Sequence, residues 1–175
     1  MYFTEEPDPI RQLRETLRRF VEDELPPDLR RQLDREHRFP QELFRKLADL
    51  GVCGLTIDEQ YGGQGVDLVA AVATIEELCR GGAFLAGPFI HCAFYGGMNM
   101  MENGSDEQKE AYLPRLANGD LLFAYGLSEP EVGGDLASVT TTAELSKDGQ
   151  HIKVNGFKRW CTGADWVDYI YTLVR

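Results

Sequence analysis

Apolar residues recur at a helical period through the first two thirds of the chain and in strand-like alternation after Asp120. Ile10, Leu13, Leu17, Phe20 and Val21 fall on one stripe, spaced as one face of a helix requires. Asp8-Pro9 supplies an N-cap and a first helical position. Pro26-Pro27 ends the run, because proline lacks an amide donor and clashes with the preceding turn. A second helix is expected within residues 28–37. A third follows Pro40, with Leu43, Phe44, Leu47 and Leu50 on one face and Gly51 as its stop. Residues 51–65 read as loop, ending in Tyr61-Gly62-Gly63-Gln64-Gly65. Asp67 caps a fourth helix, expected to bury Leu68, Val69, Val72, Ile75 and Leu78, and Gly81-Gly82 breaks it. Residues 88–101 have little polar face, which places them in the middle of a helical cluster. Gly104 ends that stretch, and Ser105-Asp106-Glu107-Gln108 is a capping box opening a further helix. Pro114 and Asn118-Gly119 close the helical part.

Beyond Asp120, Phe123 to Leu127 reads as a strand. Ser138, Thr140, Thr142 and Glu144 alternate with Val139, Thr141, Ala143 and Leu145. Lys147-Asp148-Gly149-Gln150 and Asn155-Gly156 read as two hairpin turns. Residues 165–175, rich in Val, Tyr, Ile, Thr and Leu, read as a buried strand. Helices followed by consecutive antiparallel strands make the fold class α+β: a helical domain over residues 1–120, then a partial β domain over 121–175. A chain that stops within an apolar strand leaves an unpaired edge, so truncation at Arg175 is expected.

Composition changes this picture little. The 175 residues are 43% hydrophobic and 27% charged, as in an ordinary soluble protein. A net charge of −11 argues against nucleic acid or an anionic membrane as a partner, though a cradle of backbone amides still binds phosphate inside an acidic protein. Residues 1–7 lack a basic segment followed by an apolar run, so no signal peptide is expected. No window is long and apolar enough for membrane insertion. Cys53, Cys79, Cys92 and Cys161 are widely spaced, which suits reduced thiols in a cytoplasmic protein. His37, His91 and His151 stand singly, and no metal site is expected. Arg11, Arg14, Arg18 and Arg19 with Glu15 and Glu22 read as a charged helix surface, and Glu76-Glu77 as partly exposed.

Two segments bear on chemistry. In Tyr125-Gly126-Leu127-Ser128-Glu129-Pro130-Glu131-Val132-Gly133-Gly134-Asp135, a strand runs into a glycine-rich turn whose amides suit a pyrophosphate. Taken alone, the segment favours a plain connecting loop. In Trp160-Cys161-Thr162, strand alternation puts the indole and the Thr162 hydroxyl on one face, a surface suited to a flat heteroaromatic ring. Taken alone, that pair reads as a core tryptophan beside a surface threonine.

Longer matches alter that balance. Phe39-Pro40-x-Glu42-Leu43-x-x-Lys46-Leu47-Ala48-x-Leu50-Gly51 and Tyr61-Gly62-Gly63-x-Gly65 resemble the helix and loop of acyl-CoA dehydrogenases. Gly104-Ser105-x-x-Gln108-Lys109-x-x-Tyr112-Leu113-Pro114-x-Leu116-Ala117-x-Gly119 also resembles that family. Ser128-Glu129-Pro130-x-x-Gly133-x-Asp135 resembles its T-E-P-x-x-G-S-D signature, and Val154-Asn155-Gly156-x-Lys158-x-Trp160-x-Thr162 its N-G-x-K-x-W-I-T element. The matches keep the family's order and span nearly the whole chain.

The resemblance implies FAD lying against an incomplete, barrel-like middle β domain. Tyr125, Leu127 and Ser128 would line the flavin ring, Gly133 and Gly134 would sit at the pyrophosphate, and Trp160, Cys161 and Thr162 would flank the ring, Cys161 through its backbone. Gly134 would also meet substrate phosphate. The implied activity is desaturation of an acyl-CoA substrate to a 2,3-enoyl-CoA, with an electron-transfer flavoprotein as acceptor and a homo- or hetero-tetrameric assembly. Gly134 stands where the family usually has Ser; losing a hydrogen bond to a charged group costs about 1.5–3 kcal/mol, so weaker FAD or acyl-CoA binding is expected. Glu129 reads as a turn residue and Asp135 as a loop-organising group. The catalytic base, a glutamate in the family, is therefore expected beyond Arg175, and this chain alone is expected to be inactive. An acyl-CoA oxidase or flavin monooxygenase on the same scaffold, and a non-catalytic partner subunit, remain as alternatives.

Overall fold

A computed structural model describes residues 6–175; the first five, part of the segment read for a signal peptide, lie outside the described residues. The chain is α+β and forms two compact units that divide between Leu122 and Phe123.

In the helical unit, α1 (Asp8–Glu24) starts one residue earlier than expected, with Pro7 at the N-cap and Asp8 already helical. The Asp8 carboxylate pairs with Arg11 one turn on instead of capping. α2 (Pro27–Glu36) ends at His37, and α3 (Gln41–Ala48) buries Leu43, Phe44 and Leu47. Leu50, expected on that face, lies past the helix end and is exposed. Gly51 follows at φ 78° and donates its amide to Ala48 O at 2.8 Å, the left-handed stop that favours glycine. Residues 51–65 coil through two short 3-10 turns, Val52–Thr56 and Glu59–Tyr61. Gly63 is obligatory here, since a Cβ would stand 2.0 Å from Ile57 O.

α4 (Leu68–Gly81) opens as read, with Asp67 Oδ1 accepting from the Ala70 amide at 2.9 Å. Its buried face differs from the expectation. Leu68, Val69 and Val72 point outward, Val72 being 50% exposed, while Ala70, Ala73, Thr74, Leu78 and Gly81 face inward. The cause is close helix packing. Small residues let α4 approach α1, and a Cβ on Gly81 would sit 2.6 Å from Val21 Cγ1. Ile10 of α1 packs with Ala70 and Ala73 in the same seam.

Of the Glu76-Glu77 pair, read as partly exposed, Glu76 is exposed while Glu77 lies in this seam and is only 2% exposed. Arg18 grips it with Nε and Nη2 at 2.8 Å each, and Arg14 Nη1 lies 3.1 Å away. Arg14 also reaches Glu76 at 2.5 Å and Glu6 at 2.7 Å. The two arginines thus bond across helices rather than along a charged surface. These bonds, Arg18's first, hold the Glu77 carboxyl below its ordinary value against the opposing effect of burial.

The apolar stretch is a continuous helical run through the unit's interior: α5 (Ala83–Ile90), a π-helical segment His91–Met98 and α6 (Asn99–Asn103). Phe89, Cys92 and Ala93 are fully buried. Wide π turns loosen the carbonyl ladder, and Thr56 Oγ1 donates to Ala93 O at 2.5 Å. α7 (Asp106–Ala117) carries the full capping box of Ser105 and Gln108. Pro114 lies inside α7, and the chain turns only after it, at Gly119 with φ 72°. No helix of the described residues is long and apolar enough to cross a membrane.

In the second unit, β1 (Phe123–Gly126) pairs in parallel with β4 (Tyr169–Thr172), Phe123 opposite Tyr169. β2 (Thr142–Leu145) and β3 (Ile152–Asn155) form an antiparallel hairpin around Gly149. The described strands make two two-stranded pairs and no closed barrel. The expected run of consecutive antiparallel strands is therefore corrected at β1. Its partner is the last strand, and the Asn155-Gly156 step leads into an irregular connection instead of a second hairpin. β4 is shorter than residues 165–175, and its Tyr169 and Ile170 are exposed, not buried.

Candidate functional site

β1 delivers the first motif. Tyr125 is half-buried, its ring edge-on to Tyr171 at 5.8 Å. Gly126 ends the strand, and a Cβ there would lie 3.3 Å from Ile170 and 3.6 Å from the Lys158 stem. The Lys158 stem crosses the strand end beside it. Its ammonium then donates to Leu127 O at 3.1 Å and to Glu129 Oε1 at 2.8 Å. Arg159 N donates to Ser128 O at 2.8 Å. Two successive carbonyls of the first motif are thus held by two successive residues of the second.

Glu129 anchors this arrangement. The residue is 5% exposed, and its carboxylate accepts five hydrogen bonds. Beside Lys158 these come from the Thr140 amide (2.7 Å) and hydroxyl (2.5 Å), and the Thr141 amide (2.9 Å) and hydroxyl (2.5 Å). Lys158 foremost, then the two threonines, hold the carboxyl well below the usual carboxylate range. A buried carboxylate persists only when paired and hydrogen-bonded in this way. The backbone closes a tight turn, with reciprocal bonds between Glu129 and Val132 at 2.9 and 3.2 Å.

After that turn Gly133 and Gly134 are exposed, and a Cβ on either would meet nothing within 4 Å. Neither has a positive φ, so the fold of this unit does not itself require glycine there. The backbone lies open to close approach. Asp135 accepts the Ser138 hydroxyl at 2.5 Å and its amide at 3.1 Å, opening the short 3-10 turn Leu136–Ser138.

Trp160, Cys161 and Thr162 lie in a loop, not in the expected strand. Trp160 has φ 59°, a left-handed conformation uncommon for a bulky residue. Thr162 N bonds Trp160 O at 3.0 Å, and Ala164 N bonds Cys161 O at 3.0 Å. These overlapping turns remove the two-residue alternation, so a shared strand face no longer explains how the indole and the Thr162 hydroxyl are related. The Trp160 side is 78% exposed, and the Arg159 guanidinium lies 4.7 Å from its ring centroid, a cation–π contact.

The structure brings Leu127 and Ser128 beside the Lys158–Trp160 backbone. No hydrogen bond among the described residues joins Gly133 or Gly134 to Trp160, Cys161 or Thr162. Sequence reading missed Glu129 as a buried hub and assigned Lys158 no role. One signal was present: Lys158 has no acidic residue within four positions, so its partner had to come from elsewhere in the chain. The hydroxyls of Ser128 and Thr162 have no partner among the described residues, and together with the open glycine turn they fit a ligand with carbonyl and phosphate acceptors.

Two family models match the chain in succession. These are acyl-CoA dehydrogenase, N-terminal domain, over residues 7–120, and acyl-CoA dehydrogenase, middle domain, over residues 124–175. Mitochondrial isovaleryl-CoA dehydrogenase of Pongo abelii is 34% identical over 162 residues, 91% of this chain and 38% of that protein. An acyl-CoA dehydrogenase complexed with FAD from Bacillus anthracis superposes with a TM-score of 0.90 at 30% identity, covering 100% of this chain and 30% of that one. A chain of the ChsE4-ChsE5 complex from Mycobacterium tuberculosis superposes at 0.81 with 33% identity, covering 100% and 44%. This chain spans less than half the length of these relatives.

Proposed function

From the premise that this chain belongs to the acyl-CoA dehydrogenase family, we propose that its second unit binds FAD and serves desaturation of an acyl-CoA to a 2,3-enoyl-CoA. The observation that carries the reading is the pairing of two loops: Leu127 and Ser128 on one side, Lys158 to Trp160 on the other, joined by Lys158 and the Arg159 amide. Free hydroxyls on Ser128 and Thr162 border the pair and suit the polar edge of a flavin ring. Tyr125 and Trp160 would supply flat apolar surface, and Cys161 its backbone. Gly133 and Gly134 would offer amides to the pyrophosphate, and Gly134 to substrate phosphate. FAD, when bound, supplies the two-electron acceptor.

The chain's own carboxylates in these motifs are poor bases. Glu129 has every lone pair directed at a donor and is held ionised with little affinity for a proton. Asp135 organises a turn. We place the base in the part of the relatives' length that this chain does not span. The domain division, near residue 120, a cytoplasmic setting, an electron-transfer flavoprotein as acceptor and a tetrameric assembly belong to the same proposal.

The test is to purify the natural full-length chain, record flavin absorbance, and follow its bleaching by acyl-CoA esters without oxygen. Bleaching with a matching 2,3-enoyl-CoA product is expected; a protein that takes up no FAD on reconstitution would sink the reading. Fast reoxidation by air would favour an oxidase. Two observations favour a second reading, a partner subunit: Gly134 lacks the usual hydroxyl, and one similar structure is a two-protein complex. Retention of FAD only after co-expression with a homologue would select it.

A further inference from the structure

We propose that Lys158 is a positioning residue of the cofactor site, turning the Leu127–Ser128 peptide so that the Ser128 amide faces the ligand. The inference rests on the FAD reading above and adds a role for a side chain outside the flavin-lining set. A trans peptide carries its C=O and N–H on opposite sides. Lys158 Nζ holds Leu127 O at 3.1 Å, so the Ser128 N–H is aimed away from Lys158. No backbone acceptor among the described residues takes that N–H. On the other side of the same residue, Ser128 O is held by Arg159 N at 2.8 Å, which aims the next amide, that of Glu129, at Val132 O. Both peptide planes flanking Ser128 are therefore set from the 158–159 segment.

Lys158 is itself fixed. Its side chain is 11% exposed, and its ammonium is paired with Glu129, whose other four bonds come from the adjacent Thr140 and Thr141. The ion pair adds no net charge near the ligand. Its contribution is direction: a donor pre-aimed at the electron-rich carbonyl edge of the flavin, with no reorganisation on binding.

The experiment uses the natural full-length chain and its K158M and K158R variants. Three quantities are read: the FAD dissociation constant by titration of the apoprotein, the two-electron midpoint potential of the bound flavin, and the thermal midpoint of the apoprotein. K158M is expected to weaken FAD about tenfold or more, as for loss of a bond made by a charged group. It should also move the potential negative, since the reduced ring gains most from an aimed donor; a tenfold loss of that preference reads as about 30 mV. K158R keeps charge and donors and should restore affinity to within about threefold. Should K158M fail to fold, K158Q carries the test, retaining a donor but no charge, with intermediate affinity expected. Wild-type affinity and potential in K158M or K158Q would overturn the proposal. So would a loss of thermal midpoint with the potential unmoved. A wild-type chain that binds no FAD would instead overturn the reading beneath it.

Discussion

The two units are held together by different means. In the helical unit, Leu17, Leu25, Leu47, Ile57, Leu78, Leu85, Phe89, Leu113 and Leu116 are fully enclosed. Among the described residues of the second unit, only Phe123, Ala124, Val132 and Val139 are buried hydrophobics, while Leu145, Ile152, Val154 and Phe157 stand exposed. Among the described residues, each unit nevertheless encloses one glutamate. Glu77 bridges α1 and α4, which already share an apolar seam. Glu129 joins loops that have little else to hold them. The same buried charge is thus a supplement in one unit and the organising centre in the other. Where apolar burial, at roughly 25 cal/mol per Å², is scarce, directional bonds set the shape.

Breaking each glutamate sharpens that contrast. The largest effect is expected from Glu129→Gln, which strands the Lys158 ammonium in a buried site. Its thermal midpoint should fall by about 10 °C or more, with faster amide exchange confined to residues 123–175. Exchange that accelerates equally in both units would show that the network is not local. Acid should reproduce part of this. Both carboxyls are held below their ordinary value of 4.5, so their contribution is complete above that pH and is lost as the pH falls below it. Glu129 is the more strongly displaced, so its contribution goes on falling to lower pH than that of Glu77, and exchange followed downward from pH 5 should keep accelerating in the second unit after the change in the helical unit has levelled off. Glu77→Gln is expected to cost about 1–3 kcal/mol, below the range for enclosed pairs because Arg18 and Arg80 remain partly in water; urea unfolding reads it. Smallest is Ser105→Ala, which removes one cap from α7 and should cost about 1 kcal/mol with cofactor affinity unchanged.

Much of the helical unit was legible because its signals are local. The Asp67 cap, the Ser105 box and the Gly51 stop each lie within a few residues of the boundary they mark. The α4 face was misread because hydrophobicity alone does not weigh how closely two helices approach. Ala70, Ala73 and Gly81 win the inner side by being small, and Val72 is displaced outward. In the second unit the two motif segments were found, yet their geometry was not. Trp160 leaves strand conformation where its neighbour Arg159 bonds Ser128, thirty-one positions earlier, and no window of sequence around Trp160 contains that bond. The turn at Glu129 was read, but its enclosed carboxylate was missed for the same reason: its donors begin eleven residues downstream.

The parallel pairing of β1 has a consequence for the order of assembly. Phe123 must wait for Tyr169, forty-six positions further along, whereas the helical unit ahead of it contains its own partners. On a ribosome adding roughly 5–20 residues each second, β1 spends several seconds synthesised but unpaired. Its ring and backbone edge are open during that interval, and distant pairings of this kind form slowly. The second unit is therefore the window in which a chaperone, or a misdirected strand from another nascent chain, can capture this protein.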